Sequence, residues 1–243
     1  MFFGHDTGNG FTEFNTAHII TLILFLVGIG LIYVFRNKFK EYKYEKQFRY
    51  GFAAFLLLWE FTLYIFEATS EAGWVWADNL PFISLCGITL YLAIILLVTK
   101  NYKLFEIGYF FTFGAIASLL FPDSGYGPDR YRYYQFILGH AGFFYAFMYM
   151  MFVHNFIPTI KSFYKSVATL AVVALFFVII NPIIGINGLF LTESGGTPFE
   201  IFDGYGRAVY IVGVYLTALL FMYIWYLLAR LYKKLSKSEE YNK

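Results

Sequence analysis

Charge is scarce in this chain. Charged residues make up 14% of 243 positions, against 59% hydrophobic and 23% aromatic. A soluble domain of this size needs a far more charged exterior, so a wholly water-facing surface is excluded. Cysteine is scarcer still: Cys86 stands alone, which excludes an internal disulfide and leaves the redox compartment open. No histidines show His-x3-His spacing and Cys86 has no second thiol, so a closed zinc site is not expected. No metal and no cofactor is called for. The net charge is only +2, without a basic stripe interleaved with aromatics, which argues against nucleic acid as a partner. No positive n-region opens the chain, so no secretory signal is expected. Repeats, low-complexity tracts and linkers are lacking too, and residues 1–243 read as one domain.

What is present is apolar length. Mean hydropathy is +0.60, with 31 Phe and 22 Tyr. Seven apolar stretches fill most of the chain: 17–35, 50–68, 81–99, 104–121, 134–156, 166–186 and 208–229. Each is close to the ~20 residues a helix needs to cross the hydrocarbon of a bilayer. Backbone groups in lipid must pair within their own segment, which predicts helices. The expected fold is all-α: a polytopic membrane protein of seven transmembrane helices.

Lysine and arginine predict its orientation. Of the 18, 15 fall in segment 36–49, at Lys100, Lys103, Lys161 and Lys165, or in the tail after residue 229. The alternate gaps hold only Arg130, Arg132 and Arg207. The positive-inside rule places the first group in the cytoplasm, with the N-terminus outside and the C-terminus inside. Acidic residues divide the other way, and the longest irregular loops (69–80, 122–133 and 187–207) share their side. Loops held by a rigid scaffold tend to carry function, so the working face is expected outside or within the outer leaflet.

Ionisable residues inside the stretches are candidates for chemistry. Glu60 is the deepest. It reads as a proton relay or substrate contact, or as a structural hydrogen bond to a neighbouring helix. Glu67 lies seven residues on, roughly 10 Å away along a helix and too far for a carboxylate dyad. Glu106 reads as a solvated helix end and His154 as an interfacial residue. His18, at the outer start of the first stretch, is a supporting candidate.

Cys86 and His140 look most like paired chemistry. Cys86 is either a small buried apolar residue or a nucleophile. A thiol needs a base to become a thiolate. His140 is the natural base, since it lies at similar depth in a stretch entering from the same side. Its other reading is a histidine bonded between helices. Gly87, Gly139 and Gly142 would permit close approach. The loop after residue 121 is turn chemistry. It is a connector or a headgroup platform, with Asp123 near the membrane surface and Arg130 and Arg132 able to hold a phosphate. Asn181-Pro182 should kink or end its helix.

The stretch Leu80-Pro81-Phe82-Ile83-Ser84-Leu85-Cys86-Gly87 resembles the Leu-Pro-Leu-His-Leu-Cys-Gly segment of the bacterial YwaF-like integral membrane proteins. Pro122-Asp123 and the histidine of Phe136-Ile137-Leu138-Gly139-His140 stand where that family has its Pro-Asp and His. Asn187-Gly188-Leu189-Phe190-Leu191, with Pro198 and Tyr210 beyond, is similar to the family's Asn-Tyr-Met segment and the Pro and Tyr after it. Ser84 stands where many members have His, and Gly188 where Tyr is usual. Vertebrate relatives of the family include a transmembrane acyltransferase that remodels ether phospholipids through a cysteine. The resemblance implies that Cys86 is the nucleophile and His140 its base.

The expected activity is acyl transfer between membrane lipids through a cysteine thioester on the outer-leaflet side, with a phospholipid or lysophospholipid as partner. Glu60, Asp123, His18, Arg130 and Asn187 are expected to support or bind. The alternative is a proton-coupled small-molecule transporter using Glu60. A third reading is a seven-helix receptor or retinal protein; the last stretch has no lysine, so a retinal Schiff base there is excluded.

Overall fold

Apolar residues surround most of these helices, so packing rather than amphipathic patterning decides what is inside. The computed structural model describes residues 1–70, 81–122 and 124–241. Among them there are helices and no strand. The α-helices are α1 (Thr16–Val34), α2 (Arg36–Glu41), α3 (Glu45–Ala68), α4 (Leu85–Thr99), α5 (Tyr102–Phe111), α6 (Phe113–Leu120), α7 (Tyr131–Val153), α8 (Ile160–Ile184) and α9 (Arg207–Tyr241). Two short 3-10 turns, Gly188–Phe190 and Pro198–Phe202, lie between α8 and α9.

Six segments are long and apolar enough to cross a membrane: α1, α3, the combined α5–α6 segment Tyr102–Leu120, α7, α8 and α9. All seven apolar stretches correspond to helix; the helices of the second and sixth begin earlier than expected, at Glu45 and Ile160, and three further differences have a visible cause or consequence. The third stretch becomes helical only at Leu85, because Ser84 Oγ accepts from Gly87 N at 2.9 Å and caps α4 there. The resulting 15 residues of α4 extend about 22 Å, short of the ~30 Å hydrocarbon. The fourth stretch is broken at Thr112, whose hydroxyl donates back to Tyr109 O at 2.6 Å and competes with the helical ladder. Trp225 of α9 donates its indole N–H to the same hydroxyl at 3.1 Å and holds the break. The last helix continues past 229 to Tyr241.

Helix α7 is the central element. Most of it is buried, and α1, α3, α4, α5 and α6 all pack on it. By contrast α1 buries only His18 and Phe25; Leu22, Ile29 and Ile32 pack partly on the core, and much of its remaining apolar surface faces outward. Lipid would cover such a surface without cost. A second apolar cluster, built on Phe177, Ile186, Leu191, Tyr210 and Val214, fills the space between α8, α9 and the loop joining them.

Contacts gather at two ends, as helices of alternating direction require. At one end the N-terminal segment lies on the start of α7: Arg130 pairs with Asp6, and Tyr131 N donates to Phe2 O at 2.9 Å. At the other end Glu45 Oε1 accepts from Arg49 Nε at 2.7 Å and from Tyr149 OH at 3.1 Å, and pairs with His154 Nε2 at 2.7 Å. Arg49 is buried and also donates to the carbonyls of Leu97 and Val98, closing the C-terminal end of α4. Glu106 belongs to this second end and is buried, which corrects the solvated reading. Ser162 Oγ donates to it at 2.8 Å and Lys165 Nζ at 2.6 Å, both from α8.

Candidate functional site

Because α4 starts at Leu85, Cys86 is the second residue of the helix, not five residues inside it. It therefore lies among the first-turn amides, where a helix presents its positive end. The side chain is half-buried. Its Sγ lies 3.7 Å from Ser118 Oγ. Gly114, one turn earlier on α6, leaves the thiol its room: a Cβ there would come within 3.3 Å of Sγ. The break at Thr112 starts the helix that carries both residues. Gly87 answers a different constraint, since a Cβ on it would meet Pro81 O at 2.6 Å.

His140 lies in α7, and α4 packs directly on α7. Its Nδ1 is 2.8 Å from Phe136 O. A carbonyl only accepts, so Nδ1 carries the proton and the neutral ring keeps its lone pair on Nε2. The ring stacks on Phe136 at 4.2 Å between centroids and approaches Phe143 at 5.6 Å. Of the neighbouring glycines, Gly142 admits Leu56 of α3, whereas nothing lies within 4 Å of the Cβ position of Gly139.

His18 has the opposite tautomer. Phe14 N donates to Nδ1 at 2.9 Å, so Nε2 carries the proton and donates to Leu119 O at 2.8 Å. The ring is fully buried and ties α1 to α6. Arg130 gives its fork to two carboxylates, Asp6 and Asp129 (2.6 Å). Its hydrogen bond holds the Asp6 carboxyl below the ordinary value, aided by Gly8 N–H. Asn187 organises its own loop: Nδ2 donates to Glu193 O at 2.9 Å, and Oδ1 accepts from Thr192 N at 3.0 Å. Asp123 lies outside the described residues.

Glu60 is half-buried and accepts from Tyr64 OH at 3.0 Å; Tyr64 in turn meets Tyr91 OH of α4 at 3.0 Å. Glu67 stands 3.8 Å from Arg132 Nε. Glu60 and Glu67 thus have different partners.

Sequence reasoning missed Ser118, Gly114 and Asn181. The first two left one trace, small residues four apart on the stretch after Cys86. The side chain of Asn181 brackets Gly188, accepting from its N–H at 3.1 Å and donating to its carbonyl at 3.0 Å. Only the helix-ending effect of Asn181-Pro182 was legible, and α8 does end two residues beyond Pro182. Two shallow apolar grooves lie away from Cys86, one lined by Phe202, Val209 and Leu216, the other by Phe35, Phe39 and Tyr42.

A family model described as the TMEM164 family matches residues 13–226. No curated protein and no solved structure matches the chain.

Proposed function

This chain belongs to the TMEM164 family, and from that premise we propose that it transfers fatty acyl groups between membrane lipids through a thioester on Cys86. The observation that carries the reading is the seat of the thiol. Cys86 is half-buried in the first turn of a capped helix, beside a hydroxyl and over a glycine. The partial positive charge of a helix start favours negative charge on sulfur. The tautomer of His140, with its lone pair on Nε2, is the one a general base needs.

The steps balance with these residues alone. His140 Nε2 takes the Cys86 proton as sulfur attacks the ester carbonyl of a phospholipid. The C–S bond forms, the ester C–O bond breaks, and the departing lysolipid oxygen takes the proton from His140. A second lysolipid hydroxyl then attacks the thioester while His140 removes its proton. The C–S bond breaks, and the thiolate recovers that proton. Ser118 O–H would donate to the sulfur while it is anionic. Glu60 and Asp123 would serve the headgroup or orient His140.

The same reading has the chain crossing the cell membrane seven times, N-terminus outside and C-terminus in the cytoplasm, with Cys86 at outer-leaflet depth. A phospholipid donor then fits better than a cytoplasmic acyl thioester.

The test uses the full chain in vesicles of labelled phospholipid and lysophospholipid. Wild type should form an adduct on Cys86 of one acyl mass, released by neutral hydroxylamine. Cys86→Ser should abolish transfer at unchanged expression; an active variant ends the proposal. His140→Ala should slow transfer by about 10²–10⁴-fold.

One observation favours a second reading, proton-coupled transport: the hydrogen-bonded chain Glu60–Tyr64–Tyr91 joining α3 to α4. Glu60→Gln should collapse coupled uptake under that reading, and reduce acyl transfer only in part under the first.

A further inference from the structure

The turn that leads into α4 is held from the far side of the molecule. Leu189 N donates to Ile83 O at 2.9 Å, three residues before Cys86. The Ile83 side chain packs into the cluster of Phe177, Ile186 and Tyr210. Backbone and side chain of one residue are therefore both anchored in the α8–α9 region. The next residue, Ser84, caps α4.

Leu189 reaches Ile83 from an unusual conformation. Leu189 and Phe190 both have φ near 55°, in the left-handed region that side chains disfavour. Two consecutive residues stay there only if their surroundings hold them. Asn181 does so from one side, bonding both backbone groups of Gly188 while buried itself. Tyr210 does so from the other, donating its hydroxyl to Phe190 O at 2.7 Å. Gly188 can be gripped so closely only without a Cβ, which would meet Asn181 Oδ1 at 2.9 Å and the Phe177 ring.

We infer that Asn181 is a positioning residue for Cys86: through Gly188 and Leu189 it fixes Ile83, and so the first turn of α4 that presents the thiol. The inference rests on the reading of Cys86 as the reacting group, but its test needs no lipid substrate.

The full chain in lipid nanodiscs is alkylated with N-ethylmaleimide, and adduct formation on Cys86 is followed by intact mass from about pH 6 to about pH 9. Asn181→Ala should slow alkylation about tenfold or more and displace the pH–rate profile from that of wild type. Asn181→Asp keeps an acceptor for Gly188 N–H but loses the donor to its carbonyl, and should fall between. Ser194→Ala breaks a bond to Asp203 in the same loop without touching Leu189, and should match wild type. A folded Asn181→Ala with wild-type rate and profile overturns the inference. So does Ser194→Ala slowing the reaction equally. If Asn181→Ala does not fold, Asn181→Asp decides, and a wild-type profile there overturns it. Activity in Cys86→Ser would end the acyl-transfer reading and leave these rates standing; normal rates in the Asn181 variants would do the reverse.

Discussion

Two histidines with the same covalent chemistry are put to different use by the backbone group that faces Nδ1. At His18 an N–H faces it, so both nitrogens bridge backbone groups and the ring works as a structural rivet. At His140 a carbonyl faces it, and the lone pair is left on Nε2. His18→Ala should therefore destabilise the fold, since it removes the bonding partners of Phe14 N–H and Leu119 C=O; an unpaired buried group costs about 1–3 kcal/mol. Thermal unfolding of His18→Ala in detergent should show a lowered midpoint. Both residues were visible in the sequence as rare polar groups in apolar surroundings. Their difference was not: the fold decides which backbone group meets each Nδ1, and the Nε2 partner of His18, Leu119, lies 101 positions away. Arg130 makes the same point. Its loop could be recognised as turn chemistry, but its partner Asp6 lies 124 residues away.

Elements were legible where length and apolarity sufficed, and their edges were not where a cap or a tertiary bond decided them. Ser84 looks like one more residue of an apolar run, and only its bond to Gly87 N places the start of α4. Thr112 gives no sign of a break until Trp225 approaches it. The N-terminal segment was beyond prediction, since polar loops have no period. Its anchoring should depend on pH. Asp6 is held below its ordinary value of 3.8 chiefly by the Arg130 hydrogen bond. A depressed carboxyl contributes fully above the ordinary value, and the contribution is lost as pH falls through the lowered one. A nitroxide on Asn9→Cys in a Cys86→Ala background should be restrained near neutrality and become mobile only as pH drops below 3.8. With Asp6→Asn added, that pH dependence should weaken, since Asp129 still accepts from the backbone N–H at position 9 and pairs with Arg130.

At the scale of the molecule, α7 and the α5–α6 segment are the buried helices and α1, α3, α8 and α9 present apolar surface outward; with so little charge, most of the perimeter must meet lipid. The arrangement of neighbours around α7 was not legible, because lipid-facing and helix-facing residues are equally apolar. Orientation can be tested directly, since the chain has a single native thiol. In a Cys86→Ala background, the exposed positions Lys38→Cys and Tyr205→Cys should react with an impermeant maleimide from opposite faces. Lys38→Cys should be reached only from the cytoplasmic side; labelling of both from one face would refute the topology. The fastening of α4 has a mechanical consequence. Arg49 grips its last carbonyls, and Leu189 tethers the turn before its first residue. A rod pinned at both tips cannot slide like a piston. Under the acyl-transfer proposal, admitting a lipid tail to the sulfur would then require the helices to part sideways, along the plane of the bilayer.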